Sequence, residues 1–382
     1  MPERSEALAT GWDLGGAHLK VAQGTADGHF ETALQLPCAL WRGLDHLTRA
    51  IAAAQGRLAP THRHGVTMTG ELVDLFASRA EGVEVLAQAI RDALPGAELR
   101  LYAGPRGFVP AEEAGRHVHD IASANWHASA RFVAGRCAAG LFLDVGSTTT
   151  DVVPFAEGRV AASGFTDSER MIAEELVYTG VTRTPIMAIA EAVPFAGVRQ
   201  RLMAEHFATA ADVHRLTGAL PEDADQYETA DGRGKTAEDS ARRLARMLGR
   251  DFVPEDLPAW RQLAAHLAER QLQAVLAAAE RVLSRRDVPD EAPVVGAGVG
   301  RFLCATLAAR LGRPYVDFAS LVAGAPERRE AAARCAPAAA VAVLAAMDGA
   351  APAQTAVQTA RTRASSSPPD RPPRQSAPRN PR

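Results

Sequence analysis

Two short stretches join acidic residues to turn glycines in a way suited to gripping phosphate. The first, Asp13-Leu14-Gly15-Gly16-Ala17-His18-Leu19-Lys20, sets a carboxylate just ahead of a glycine pair. Lacking side chains, Gly15 and Gly16 let backbone amides turn inward toward phosphate oxygens, and Asp13 could hold Mg²⁺ through water. Alone, an acidic glycine hairpin reads the same way. The second stretch, Leu141 to Asp151, repeats the plan about 130 residues on: apolar strand, Asp144, a turn at Gly146, polar return strand. Ser147, Thr148 and Thr149 add hydroxyl donors, and Asp151 is a carboxylate able to steady the turn. Asp13 and Asp144 are thus the metal-side candidates. A third stretch, Val294-Val295-Gly296-Ala297-Gly298-Val299-Gly300, runs a strand into a glycine turn that opens a helix, where amides face a positive helix end. Its G-x-G-x-G spacing differs from the G-x-G-x-x-G of a dinucleotide fold.

Other residues could act on a ligand held there. Lys235 stands in a polar loop with Gly232 and Gly234, and Lys20 in the first hairpin, in a chain whose usual cation is arginine. Glu71 and Arg183 lie in loops where a substrate could be positioned, or where helix capping and surface pairing would serve instead. His18 could act as a base or pack outward. The pairs His62/His64 and His117/His119 would share a strand face, but with no third ligand at a recognisable spacing, solvated surface pairs fit them better. Asn125 and Trp126 read as a lobe junction, with Trp126 in the core. The scattered Cys38, Cys137, Cys304 and Cys335 suit buried thiols better than zinc or a disulfide framework.

The elements that position these groups follow from periodicity. GWDLGGAHLKVAQG reads as a hairpin, followed by a helix over LDHLTRAIAAAQGRL, a strand at GVTMT, a helix over LVDLFASRAEGVEVLAQAIRDAL and a strand at ELRLYAG. A small-residue helix, HASARFVAGR, precedes the continuous apolar strand ending at Asp144. Thr166 and Glu169 form a capping box for a helix over SERMIAEELVYTG that stops near Gly180. Residues 183–260 are less regular. Apolar spacing from Arg261 to about Arg285 describes one long amphipathic helix, and the helices RFLCATLAARLG and APAAAVAVLAAM follow. This divides the chain into a lobe at 11–138, a second at 139–349 and a tail at 350–382 whose Ala, Pro, Arg, Ser and Thr cannot bury a core, so that it is expected to be disordered.

With 382 residues the chain has room for two packed lobes. A net charge of −3 argues against the broad basic surface of nucleic-acid binding and favours small-molecule partners. No apolar run nears the roughly 20 residues that span a bilayer, and the N-terminus lacks an apolar signal core, so a cytoplasmic protein with no membrane partner is expected. Oligomeric state stays open, a homo-oligomer included.

In their order, the three loops resemble the phosphate-one, phosphate-two and adenosine motifs of the acetate and sugar kinase, heat-shock protein 70 and actin superfamily, over residues 11 to about 348. That implies an α/β, two-lobe actin-like (ribonuclease H-like) fold with a central ligand cleft. Within it, DVGSTTTDVVP, TMTGELVDLF, SANWHASA and ELVYTGVTRTPI resemble the hydantoinase A and oxoprolinase-like branch, and more narrowly its members linked to tetrahydromethanopterin-dependent one-carbon transfer. The resemblance implies a condensing transferase of methylofuran or methanofuran-type biosynthesis. Such an enzyme joins an aminomethylfuran methyl diphosphate to a tyramine- or tyrosine-derived phenol and releases pyrophosphate. In that chemistry Asp13 and Asp144 would stand at Mg²⁺, Lys20 or Lys235 on the leaving phosphate, and Gly15, Gly16, Gly146, Ser147, Thr148 and Thr149 around it. Two other readings use the same loops. One is an ATP-dependent small-molecule kinase or hydantoinase-like amidohydrolase, with nucleotide at Gly296, Gly298 and Gly300; the other is a non-catalytic nucleotide sensor.

Overall fold

The computed structural model describes residues 8–350. From residue 351 the expected disordered tail lies outside the described residues.

A six-stranded sheet opens the chain, built from β1 (Ala9–Leu14), β2 (His18–Gly24), β3 (Phe30–Pro37), β4 (Arg63–Met68), β5 (Glu98–Tyr102) and β6 (Phe108–Pro110) in the order β3-β2-β1-β4-β5-β6. β1 is antiparallel to β2 and parallel to β4. A second sheet repeats this centre. β7 (Gly140–Val145) is antiparallel to β8 (Thr150–Ala156), which carries β9 (Arg159–Val160) and β10 (Leu176–Val177). β11 (Ala192–Phe195) and β12 (Val198–Arg201) form a separate hairpin. β13 (Val294–Ala297) then runs parallel to β7, with β14 (Tyr315–Asp317) beside it. The duplication extends to register: Asp13 pairs with Lys20 across β1/β2, and Asp144 pairs with Asp151 across β7/β8. Both aspartates therefore stand one residue before a strand end, beside a tight turn.

Each sheet is covered on both faces, which is why β7 is buried along its whole length. Helices Leu44–Gln55 and Arg79–Ala93 share one apolar core with the first sheet. Helices Leu257–Leu283 and Phe302–Arg310 share another with the second. The remaining faces exchange helices between lobes. Asn125–Ala134, which sequence order puts in the 11–138 lobe, packs on β7, β8 and β9. Ala336–Ala350, which sequence order puts in the 139–349 lobe, lies on the first sheet. Glycines permit that approach: a Cβ on Gly11 would stand 2.0 Å from the Ala338 carbonyl, and one on Gly65 2.8 Å from that of Val341. The alanines of this helix are what let it come so close.

Two stretches are more ordered, or shorter, than the sequence suggests. Residues 183–260 hold the β11/β12 hairpin, helices Ala210–Leu216 and Ala237–Met247 and an apolar core around Val213, Leu244 and Trp260. Buried Arg243 ties this region together, reaching Asp212 at 2.7 Å and Asp231 at 3.0 Å. The helix after the Thr166/Glu169 capping box runs only Asp167–Ile172. Glu174 then adopts φ 56°, and Glu175 turns inward to accept the amides of Ser163 and Gly164, which frees Leu176–Val177 to join β8. Among the described residues no single helix is long and apolar enough to cross a membrane.

Candidate active site

Both glycine turns face one cleft of about 590 Å³. Its lining includes Asp13, Gly15, Gly16, His18 and Lys20 from one lobe and Asp144, Gly146, Ser147, Thr148, Thr149, Asp151 and Arg183 from the other. The sequence-predicted pairing of loops is therefore a spatial one.

The turns spend some amides on themselves. Gly15 donates to the carbonyls of Asp13 and His18, each at 3.1 Å, and Gly146 donates to that of Thr149 at 2.9 Å. These glycines close the turns rather than offering N–H groups to a ligand, which leaves the tips, Gly16 and Ser147-Thr148, toward the cleft. The second tip rests on a segment that periodicity gave no reason to single out. Arg183 and Thr182 donate their amides to the Ser147 carbonyl at 2.9 and 3.2 Å. A Cβ on Gly180 would lie 2.4 Å from the Thr148 nitrogen. Gln271 on the long helix holds that segment from behind, donating to Gly180 O and Thr179 Oγ1 at 2.8 Å each, while its own carbonyl meets His214 at 2.7 Å. In the sequence this segment lies within ELVYTGVTRTPI, where Gly180 also reads as a helix stop.

Charge in the cleft is concentrated and little hydrated. Asp13 is 2% exposed, and Lys20 Nζ lies 3.4 Å from its Oδ2, while Oδ1 is buried without a hydrogen-bond partner among the described residues. Burial raises the Asp13 carboxyl above its ordinary range although Lys20 opposes the shift. Burial works against the charge of Lys20, but Asp13 and Asp144 outweigh it and raise its pKa. Asp144 is pushed up to about 7, chiefly by burial, with Lys20 opposing and the Asp151 and Asp13 charges adding to it. Asp151 has a cation of its own: Arg170, 1% exposed, donates to it at 2.8 Å and stacks 4.0 Å above the Trp126 ring. Asp151 and Trp126 thus anchor the hairpin, whereas Asp13 and Asp144 face the ligand space.

Two hard carboxylate donors from opposite lobes, one with an unpartnered oxygen, suit Mg²⁺ that completes its shell with water and phosphate oxygens. His18 does not suit the role of base. Burial and the charges of Lys20 and Arg183 lower it to about 3, and its ring packs edge-on to Tyr227.

The remaining candidates separate cleanly. Arg183 belongs to the cleft, its guanidinium 5.1 Å from the Trp41 ring centre across the lobes and its Nη1 3.5 Å from Thr148 Oγ1. Lys235 does not. It donates to the Asp225 carbonyl at 2.7 Å and lies 3.5 Å from that carboxylate, so it steadies its own loop. That loop continues to Tyr227, whose hydroxyl donates to the Ala17 carbonyl and accepts the Cys38 amide at 3.0 Å, tying the 183–260 region to the first turn. Sequence reading gave Tyr227 no role, because its partners are some 190 and 210 residues away.

The third glycine stretch is also outside the cleft lining. Gly298 and Gly300 donate to the carbonyls of Ala333 and Val145 at 2.9 and 2.8 Å, so their amides are occupied. Gly298, at φ 86°, is needed because a Cβ would strike Val145 O at 2.3 Å and Asp144 Oδ1 at 2.4 Å; a Cβ on Gly296 would meet Cys304 and Tyr315. Glu71 lies just behind the cleft wall, 1% exposed. His64, expected at the surface, is buried and accepts the Trp12 indole N–H at 3.0 Å. The rim is apolar: Trp41, Leu72 and Tyr178 are 39%, 49% and 66% exposed around a polar floor.

A family model described as hydantoinase/oxoprolinase matches residues 63–346. A (4-{4-[2-(gamma-L-glutamylamino)ethyl]phenoxymethyl}furan-2-yl)methanamine synthase of Methanocaldococcus jannaschii is 30% identical over 255 residues, 65% of this chain and 74% of that protein. The synthase of the same name from Methanococcus vannielii is 32% identical over 112 residues, 29% of this chain and 50% of that protein. Among solved structures, nucleotide-free acetone carboxylase superposes with a TM-score of 0.55 at 10% identity, over 87% of this chain and 70% of that one, a likeness of fold. The architecture is the two-lobe α/β fold with an actin-like duplicated core.

Proposed function

The chain belongs to the hydantoinase/oxoprolinase family, and on that premise we propose that it is a condensing transferase of methanofuran-type cofactor biosynthesis. It would join a furfuryl diphosphate to a phenol, forming the aryl ether and releasing pyrophosphate. The observation that carries this reading is the composition of the cleft: a phosphate-sized polar floor between two aspartate turns, under a rim of Trp41, Leu72 and Tyr178 that suits flat aromatic groups. The relatives' name, a phenoxymethyl-furan methanamine synthase, supports the same bond.

Displacement at a furfuryl carbon is limited by the charge left on the departing diphosphate, and fixed cations and amides in a dry cleft stabilise that charge most as it develops. Lys20 and Arg183 are the cations within reach, and the amides and hydroxyls at Ser147 and Thr148 are the donors. Mg²⁺, held by Asp13 and Asp144, would supply further neutralisation of the diphosphate. Burial raises both the Asp13 and the Asp144 carboxyl, so each gains from an arriving cation. The apolar rim orients furan and phenol and excludes water, which would otherwise compete as acceptor.

The test is synthesis. Purified protein is incubated with aminomethylfuran methyl diphosphate, Mg²⁺ and tyramine or glutamyl-tyramine, and ether and pyrophosphate are followed by mass spectrometry. Equal amounts of both products are expected; absence of ether with every phenol would reject the reading.

A kinase reading uses the same loops, but the amides of Gly298 and Gly300 on which its base site was expected are taken by backbone carbonyls. Thermal stabilisation by ATP and not by pyrophosphate would favour it.

A further inference from the structure

Beside the phosphate floor, the cleft wall carries a group for which diphosphate binding has no use. Ser123 lines the cleft next to Asn125 and holds φ 53°, a left-handed conformation costly for a residue with a Cβ. Its hydroxyl is 2.8 Å from Glu71 Oε1 and 3.1 Å from Asp167 Oδ2, and Arg79 Nη2 donates to it at 3.3 Å. Asp167 is already paired with Arg79. Glu71 is 1% exposed, and its Oε2 is buried without a hydrogen-bond partner among the described residues. A short helical turn, Gly70–Leu72, fixes it, and Gly82 backs it so closely that a Cβ there would lie 2.6 Å from the Glu71 carbonyl. The arrangement is a buried carboxylate that meets the ligand space only through one strained hydroxyl.

The condensation needs a proton acceptor for the phenol, whose reference pKa of about 10 keeps it protonated near neutrality. Of the other carboxylates lining the cleft, Asp13 is paired with Lys20, Asp151 with Arg170 and Asp167 with Arg79, Asp144 faces the diphosphate side, and Asp74 is exposed to solvent. We propose that Ser123 and Glu71 form the proton relay of the acceptor half-site. The phenol O–H bond breaks as its proton passes to Ser123 Oγ, and Ser123 passes its own proton to Glu71 Oε1. The phenol oxygen's electron pair forms the bond to the furfuryl methylene, whose bond to the diphosphate oxygen breaks with its pair leaving on pyrophosphate. The products are ether, pyrophosphate and a protonated Glu71, which returns its proton to water by the reverse route. Burial raises the Glu71 carboxyl above its ordinary range, against the opposing effect of the Ser123 hydrogen bond and the nearby Arg79; Asp167 adds to the rise. This makes Glu71 a better acceptor than a solvated carboxylate.

The relay rests on the condensation reading, and a pair of acceptors separates the two. Full-length wild type, Ser123→Gly and Glu71→Gln are assayed for ether formation with tyramine and with 3-nitrotyramine, the latter at a pH where its phenol is already ionised. Ser123→Gly removes the hydroxyl while glycine accepts the φ of 53°, so it reports even where Glu71→Gln folds poorly. With tyramine, the variants should lose about 100-fold or more of kcat; with 3-nitrotyramine they should run near the wild-type rate. Equal losses on both acceptors, or none on tyramine, would overturn the relay while leaving the condensation intact. No ether from wild type with either acceptor would overturn both.

Discussion

Lys20 stands directly across the β1/β2 ladder from Asp13, its Nζ 3.4 Å from the carboxylate, whereas the matching place opposite Asp144 is held by another aspartate, Asp151. One duplicated hairpin thus brings a cation to the cleft and the other a carboxylate that must be neutralised from behind by Arg170. The asymmetry makes the cleft two-sided: Lys20 and Arg183 attract an anion, and Asp13 and Asp144 a divalent cation to share it.

Asp13→Asn and Asp144→Asn should each lower turnover by about 100-fold or more while the fold persists, as expected when one preorganised charge at a reacting phosphate is removed. Steady-state ether formation alongside circular dichroism checks this. Turnover within a few-fold of wild type would remove both residues from the ligand.

Asp144 should also leave a mark on stability without ligand. Its pKa is raised on folding from 3.8 to about 7, so its contribution is fully present below pH 4 and is lost as pH rises through 7, a change on the order of 4 kcal/mol. Asp144→Asn should therefore melt near the wild type at pH 4 and above it at pH 8. A wild type that gains stability relative to the variant on going from pH 4 to pH 8 would contradict the assignment.

Arg183, in the cleft, and Lys235, outside it, should behave differently. Arg183→Ala should weaken pyrophosphate binding about tenfold or more, since it removes a charge-assisted contact. Lys235→Ala should leave binding near wild type and cost at most about 1 kcal/mol of stability, as for other partly exposed ion pairs. Titration calorimetry with pyrophosphate and Mg²⁺ distinguishes them, and equal losses would return Lys235 to the site.

Gly180→Ala tests the support of the second turn. Its new methyl would press on the Thr148 nitrogen from 2.4 Å, forcing the tip to move, and misplacement of about 1 Å can cost about 100-fold in rate. Activity should fall sharply with little loss of secondary structure. Full activity would mean the Ser147-Thr148 tip is not a phosphate donor.

What the sequence made legible was what is local. The two aspartate turns and the capping box at Thr166 are encoded within a few residues and form where they were read, although Gly15 and Gly146 spend their amides inside the turns. Arg183 could be placed in the cleft only by the fold, which carries Trp41 and Thr148 to it from distant segments. Lys235 looked like a phosphate lysine because glycines flank it, yet Asp225, ten residues away, claims it. The amides of Gly298 and Gly300 looked available until β13 came alongside β7 and Val145 took one of them. Ser123 heads the SANWHASA stretch, but nothing there marked it for a role, since a left-handed serine is visible only in the backbone.

The central claim is that the bond broken is the one between the furfuryl carbon and oxygen, and an isotope decides it. Aminomethylfuran methyl diphosphate carrying ¹⁸O at the oxygen bridging carbon and phosphorus is turned over with Mg²⁺ and unlabelled tyramine, and both products are weighed by mass spectrometry. The account predicts all of the label in pyrophosphate and none in the ether. Label retained on the furfuryl product, with phosphate moved to the acceptor or to water, would contradict it and make the protein a phosphoryl-transfer enzyme.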